Sequence, residues 1–239
     1  MSPKRPSRLA SVARWLGAPG SERLSGAVAV LSPHLDDGVF SLGASIAAAS
    51  DASVVMLTVL AGDPESELPA GEWDSRAGFR RAGQATRARR QEDARACEEV
   101  GARPEWLPYP DHQYPRPDDD GIWEDIERAL GQAETVLVPA FPLMHEDHRW
   151  LLGLVEGHGL PGRRVGHYVE QPYAAAWESR RPGEEWAPLA AALPHRMRKL
   201  RACRRYVTQL PLLERQSSPV LLRMLRYEAA RGGELVRWP

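Results

Sequence analysis

The chain has 239 residues, 43% of them hydrophobic and 26% charged, and its 31 basic and 32 acidic side chains leave a net charge of −1. A chain of that size buries enough surface to fold without disulfides, and the charge balance argues against a general nucleic-acid binder, which carries a marked basic excess, while leaving room for a local basic patch. Two distant cysteines, Cys97 and Cys203, exclude both a disulfide framework and a Cys-rich zinc module. Residues 1–22 read as an N-terminal extension and 23–239 as one domain. The extension holds Lys4, Arg5, Arg8 and Arg14 with no acid before Glu22, and it lacks the apolar core of a secretory signal. Lys4 and Lys199 are the only lysines, which points to GC-rich bacterial coding and a cytoplasmic protein. No apolar run reaches about 18 residues, so no membrane span is expected.

The apolar run Ala27 to Leu31 reads as a buried strand of a covered parallel sheet. It ends at Ser32-Pro33, a helix is expected from Ser41 to Ser50, and a second strand from Val54 to Leu60 closes at Ala61-Gly62-Asp63-Pro64. That order is a βαβ unit. Residues 63–84, with Trp73 and Phe79 embedded, read as a long loop, of a length that is either functional or disordered. A charged helix from Arg87 to Val100 stops at Gly101, and a short strand around Trp106 leads to the loop Tyr109-Pro110-Asp111-His112. Helix Ile122–Leu130, strand Thr135–Val138, a helix from near His148 and strand Val165–Val169 follow. Residues 172–194 are proline-rich and irregular. The last helix, His195 to Thr208, is expected to bury Met197, Leu200, Cys203 and Val207 and to present Arg196, Arg198, Lys199, Arg201, Arg204 and Arg205 to water. Alternating strands and helices indicate an α/β fold with a mainly parallel sheet.

Two motifs carry chemistry. Ser32-Pro33-His34-Leu35-Asp36-Asp37 sits where the first strand ends, and ligands of open α/β sheets gather at the carboxyl ends of strands. A turn there can aim His34 and Asp37 at one point with Asp36 beside them. His145-Glu146-Asp147-His148 follows another strand and can reach the same edge. Taken singly, each motif is also what a helix-capping turn looks like. Together they supply the two histidines and a carboxylate that a catalytic zinc requires, with one position open.

Ser-Pro-His-Leu-Asp-Asp, followed by an apolar residue, Ser, Leu and Gly43, resembles the first signature of the PIG-L/LmbE-like deacetylase family. His145-Glu146-Asp147-His148 resembles its second. Weaker likeness runs through Arg90-Gln91-Glu92, Tyr109-Pro110-Asp111, Tyr168-Val169-Glu170 and Lys199 to Gln209, so the resemblance covers about residues 25–210. The chain departs from the pattern at Leu35, where the family usually has Pro, and at Gly38, often Glu there. Loss of that acid bears on sugar binding more than on the metal.

The resemblance implies a Rossmann-like three-layer αβα sandwich and a zinc-dependent hydrolase that removes an N-acetyl or similar N-acyl group from an amino sugar or sugar conjugate. It implies that His34, Asp37 and His148 bind Zn2+ (or another divalent metal) and that Asp36 is the general base on the metal-activated water. His145 would donate to the oxyanion, with Asp147 orienting its imidazole. Arg90, Glu92, Asp111 and Glu170 are candidates for gripping the substrate, and Trp73, Phe79 and Trp123 for lining its pocket. His112, His158, His167 and His195 lack a partner pattern and receive no role. The partner is a small N-acetylated molecule; no nucleic acid is expected, and a homo-oligomer is compatible with the sequence. The alternatives are the same amidohydrolase chemistry on a non-sugar natural-product intermediate, and a non-catalytic binding protein on this fold. A dinucleotide-binding protein is disfavoured because no GxGxxG follows the first strand.

Overall fold

A computed structural model describes residues 22–176, 181–214 and 219–239; of the expected extension only Glu22 falls among them. Seven strands form one sheet: β1 (Gly26–Ser32), β2 (Ala52–Thr58), β3 (Arg103–Trp106), β4 (Thr135–Phe141), β5 (Arg164–Val169), β6 (Ala187–Pro188) and β7 (Leu235–Arg237). Their spatial order is β3-β2-β1-β4-β5-β7-β6. The pairs from β3 through β5 are parallel, and β7 runs antiparallel to both β5 and β6. The expected α/β fold with a mainly parallel sheet is thus the fold observed.

The strands are apolar along both faces because both faces are covered. Val28 and Val30 of β1 join one core, while Ala29 and Leu31 join the other. On the first side the sheet is covered by α1 (Asp37–Ala47), α3 (Ala82–Val100), α7 (Leu193–Cys203) and α9 (Val220–Arg231), through residues such as Phe40, Cys97, Cys203 and Met224. The second side is covered by α4 (Asp119–Leu130) and α5 (Glu146–His158), through Ile122, Ile126 and Leu151. Short helices α2 (Glu72–Arg76), α6 (Tyr173–Ala176) and α8 (Leu210–Leu213) interrupt the connections. No helix among the described residues is long and apolar enough to cross a membrane.

Helix α7 departs from the expected pattern. It ends at Cys203, short of the expected Thr208; Met197 and, beyond the helix, Val207 are exposed, whereas Arg196 and Lys199, expected on the wet face, are buried. The reason is a second shell of acids: Lys199 Nζ donates to Glu228 Oε1 at 2.5 Å and to Glu234 Oε1 at 2.6 Å. Arg196 NH2 donates to Gly232 O at 3.2 Å. Three-to-four spacing alone cannot tell an apolar stripe from a stripe of paired charges.

Counting outward from β1, the chain turns to β2 and β3 on one side and to β4 and β5 on the other. Connections therefore leave β1 and β4 in opposite directions, and a crevice opens between the carboxyl ends of these neighbours. Both chemical motifs are there.

Candidate metal centre and its cavity

The turn after β1 is built tightly. Ser32 Oγ donates to His34 O at 2.7 Å and accepts from Gly38 N at 2.9 Å, while Asp36 N donates to His34 O at 3.0 Å. The turn forces Asp36 to φ 156° and ψ −34°, a region that side-chain-bearing residues rarely occupy. Asp37 then starts α1, and its Oδ2 accepts from His34 N at 3.0 Å. Gly38 has a local cause: a Cβ there would lie 2.3 Å from Met56 Sδ and 3.3 Å from Ser32 Cβ, so the first turn of α1 rests directly on β1 and β2.

After β4 the chain enters α5 with His145 as its N-cap, the ring Nδ1 accepting from Asp147 N at 3.3 Å. One helical turn brings His148, fully buried, against the β1 turn. His34 Nδ1, Asp37 Oδ2 and His148 Nε2 then lie 3.1, 3.1 and 3.2 Å apart pairwise. Three donors converge at mutual distances that suit bonds of about 2.0–2.2 Å to one tetrahedral ion. The outer nitrogens are engaged as metal-ligating histidines require. His34 Nε2 lies 3.0 Å from Asp147 Oδ2, and His148 Nδ1 bonds Glu170 Oε1. The donor set and its supporting carboxylates fit a divalent metal.

The cluster polarises its own groups. Burial works against a charge on His148, but Asp37 and Glu170 outweigh it and push its pKa up to about 9. His34 is likewise raised against burial by its bonds to Asp147 and Asp37. Asp37 is held below the usual carboxylate range despite burial, chiefly by His148. Burial and the adjacent Asp37 push Asp36 well above that range. His145 moves the other way: burial and the two neighbouring imidazoles lower it to about 4, which keeps it neutral.

Asp36, His34 and His145 line a cavity of about 820 Å3. Segment 63–84, expected as a loop, instead contains α2 and the start of α3, and it supplies much of the wall through Ser66, Leu68 and Trp73. Trp73 Nε1 donates to Gln209 Oε1 at 2.8 Å. Of segment 172–194, Tyr173 alone lines the cavity among the described residues. Trp123 is in the core beneath α5, stacked on His158 at 4.8 Å, and Phe79 is not in the cavity wall.

The four residues expected to grip the substrate have diverse settings. Asp111 lines the cavity, its carboxylate accepting from Gln113 N and Nε2, each at 2.9 Å. Arg90 turns away to the carbonyls of Ala61 and Gly62 and packs over Trp106. Glu92 is buried and accepts from Thr208 N at 3.0 Å and Thr208 Oγ1 at 2.9 Å. Glu170 is buried behind His148 and also accepts from Leu143 N at 2.9 Å. Asp147, expected to orient His145, instead has its carboxylate on His34, on His112 Nδ1 at 2.9 Å and on Arg116 NH1 at 2.7 Å. Its Oδ2 is 3.7 Å from His145 Nδ1.

Two residues in the cavity wall escaped sequence reasoning. Arg89 shares a helix face with Ala82 and Thr86, both in the cavity wall, and its NH1 pairs with Asp74 Oδ1 at 2.6 Å. Its Nε and NH2 find no hydrogen-bond partner among the described residues. The helix begins at Ala82, inside the segment read as a loop, so no expected helix face distinguished Arg89 from Arg90. His112 gave no such signal, because its partner Asp147 is 35 positions away.

Residues 29–156, more than half of the chain, match the GlcNAc-PI de-N-acetylase family, PIG-L. The chain belongs to this family. No curated protein matches the PIG-L chain in sequence. Among solved structures it is similar to the A40926 pseudoaglycone deacetylase, with 26% identity over 89% of this chain and 96% of that one and a TM-score of 0.70. It is also similar to the zinc-inhibited form of a teicoplanin deacetylase, at 22% identity, 90% and 97% coverage and a TM-score of 0.73. A 4-carboxy-2-hydroxymuconate hydratase from Pseudomonas putida shares the fold at 20% identity, 86% and 85% coverage and a TM-score of 0.56. The fold thus houses more than one reaction, and the choice among them rests on the side chains of the site.

Proposed function

We propose that this PIG-L protein is a zinc-dependent N-deacetylase that hydrolyses the N-acetyl amide of an amino sugar carried on a larger conjugate. The observation that carries the reading is the convergence of His34, Asp37 and His148 at 3.1–3.2 Å beside Asp36 in the cavity wall. His34 Nδ1, Asp37 Oδ2 and His148 Nε2 would hold the metal. When bound, zinc supplies Lewis-acid polarisation and brings the pKa of water toward neutrality.

The remaining work belongs to the chain's own groups. Asp36 takes the proton of the attacking water, and its raised pKa suits it to hold that proton and pass it to the leaving nitrogen as the C–N bond breaks. His145 is neutral, and its Nδ1 accepts the Asp147 N–H, so Nε2 carries the ring proton. That proton is offered to the oxygen of the tetrahedral intermediate. Asp111, in the cavity wall, is placed to bind hydroxyl groups, and Arg89 in the same wall carries a positive charge held by Asp74. A volume of about 820 Å3 is in the upper part of the range for small-molecule sites and leaves room for the conjugate beyond the amino sugar. The name of the pseudoaglycone deacetylase, the structure with 26% identity, supports a sugar-bearing natural product as substrate class.

The test is acetate release, read by mass spectrometry, from N-acetylated sugars, glycoconjugates and non-sugar amides incubated with zinc-loaded protein. Release from the sugar compounds is the expected result. Release only from non-sugar amides would replace the substrate class, and release from none would leave a ligand-binding protein. Elemental analysis of His148→Ala should show most of the zinc lost; full retention would remove His148 from the ligand set.

A further inference from the structure

The geometry points to a second divalent-cation site at the cavity wall, made by His112 and His145, which line it, and by the buried Asp147. One ligand atom from each of the three lies within 4.8 Å of the others. His112 Nδ1 is 2.9 Å and His145 Nδ1 is 3.7 Å from Asp147 Oδ2. These separations bracket the spacing of ligands around one tetrahedral ion, and imidazole with carboxylate is a donor set that zinc accepts. His112 comes from the loop after β3, whereas the other two residues open α5, so the site exists only in the folded chain.

The protons can be accommodated. The contact of His112 Nδ1 with Asp147 needs a proton between them. An ion entering there shifts that proton to His112 Nε2, which is 3.9 Å from Glu146 Oε1. His145 Nδ1 already acts as an acceptor, from Asp147 N, and gives up that bond to the ion. Arg116 NH1, 2.7 Å from Asp147 Oδ1, remains in place and offsets part of the carboxylate charge. The second site is therefore weaker than the first, which has Asp37 without a paired arginine among the described residues.

The consequence rests on the role proposed for His145. An ion here fixes His145 through Nδ1 and draws on the carboxylate that orients His34. The second ion inhibits.

The test is equilibrium dialysis of the full chain against rising zinc sulfate, with zinc per chain read by elemental analysis. Wild type should bind one ion tightly and a second at higher zinc. His112→Ala and His112→Gln, checked for wild-type thermal melts, should keep the tight ion and weaken the second by at least ~10-fold. Asp37→Ala should lose the tight ion and keep the weaker. Saturation of wild type at one ion overturns the second site, as does a second ion bound equally well by both His112 variants. Retention of the tight ion by Asp37→Ala would instead overturn the first centre, so the two failures are distinguishable. In the deacetylation assay, inhibition by excess zinc should move to higher concentration in His112→Gln by the same factor as binding.

Discussion

Asp36 occupies a backbone conformation that costs of order 1–3 kcal/mol, maintained by the Ser32 hydroxyl on one side and the start of α1 on the other. The strain sets its carboxylate beside the donor triad while Asp37 enters it. Asp36→Asn preserves shape and should retain the metal, with turnover reduced by roughly 10²–10⁴-fold; unchanged turnover would refute the base assignment. Gly38 shows how a departure from the family pattern has a cause inside this chain. A Cβ there meets the buried Met56 sulfur, so Gly38→Ala should lower the denaturant midpoint, at a cost of about 1–3 kcal/mol from overpacking. An accompanying Met56→Val should recover part of that loss.

Helix α1 is secured to the C-terminal part of the chain through Glu234. That carboxylate accepts from Ala44 N at 2.9 Å, Ser45 N at 2.7 Å and Ser45 Oγ at 2.6 Å, and it shares Lys199 with Glu228. The buried network fixes α7 against α1, whose first residue is the proposed ligand Asp37. Removing Lys199 would leave Glu228 and Glu234 buried without the ammonium they share. Lys199→Met is therefore expected to destabilise by about 3–5 kcal/mol, measured by urea denaturation. A midpoint equal to wild type would show that the network contributes nothing.

At the scale of the whole molecule, the centre links stability to pH. In the metal-free protein the pKa of His148 is about 9 against an ordinary 6.5, so the folded state binds this proton more tightly than the unfolded chain. The stabilisation is fully present below about 6.5 and is lost as pH rises through about 9. Asp37 has the opposite sign: its lowered pKa stabilises the fold above the ordinary 3.8 and is lost as pH falls below that range. Metal binding needs deprotonated ligands and so gains with pH. Protein dialysed against EDTA should melt lower at pH 9.5 than at pH 6, and added zinc should raise the melting temperature more at the higher pH. Equal zinc stabilisation at both values would contradict the titration of the ligand set.

The sequence by itself determined the alternation of strands and helices, the parallel sheet and the two ligand-bearing turns. Each is written in local terms: an apolar run, a Gly or Pro stop, and a histidine and carboxylates at fixed spacing after a strand. Tertiary structure alone decided which charges work inside. Arg89 rather than Arg90 faces the cavity, Glu170 supports His148 from 22 positions away, and His112 joins Asp147 across 35. Arg196 and Lys199 are buried where a wet helix face was expected, because their acceptors come from the last 20 residues of the chain. The short strands β6 and β7, two and three residues long, left no periodicity to read. Helical and strand periods report which residues are apolar. The partner of a buried charge is set by where distant segments meet in the fold, and no local pattern records it.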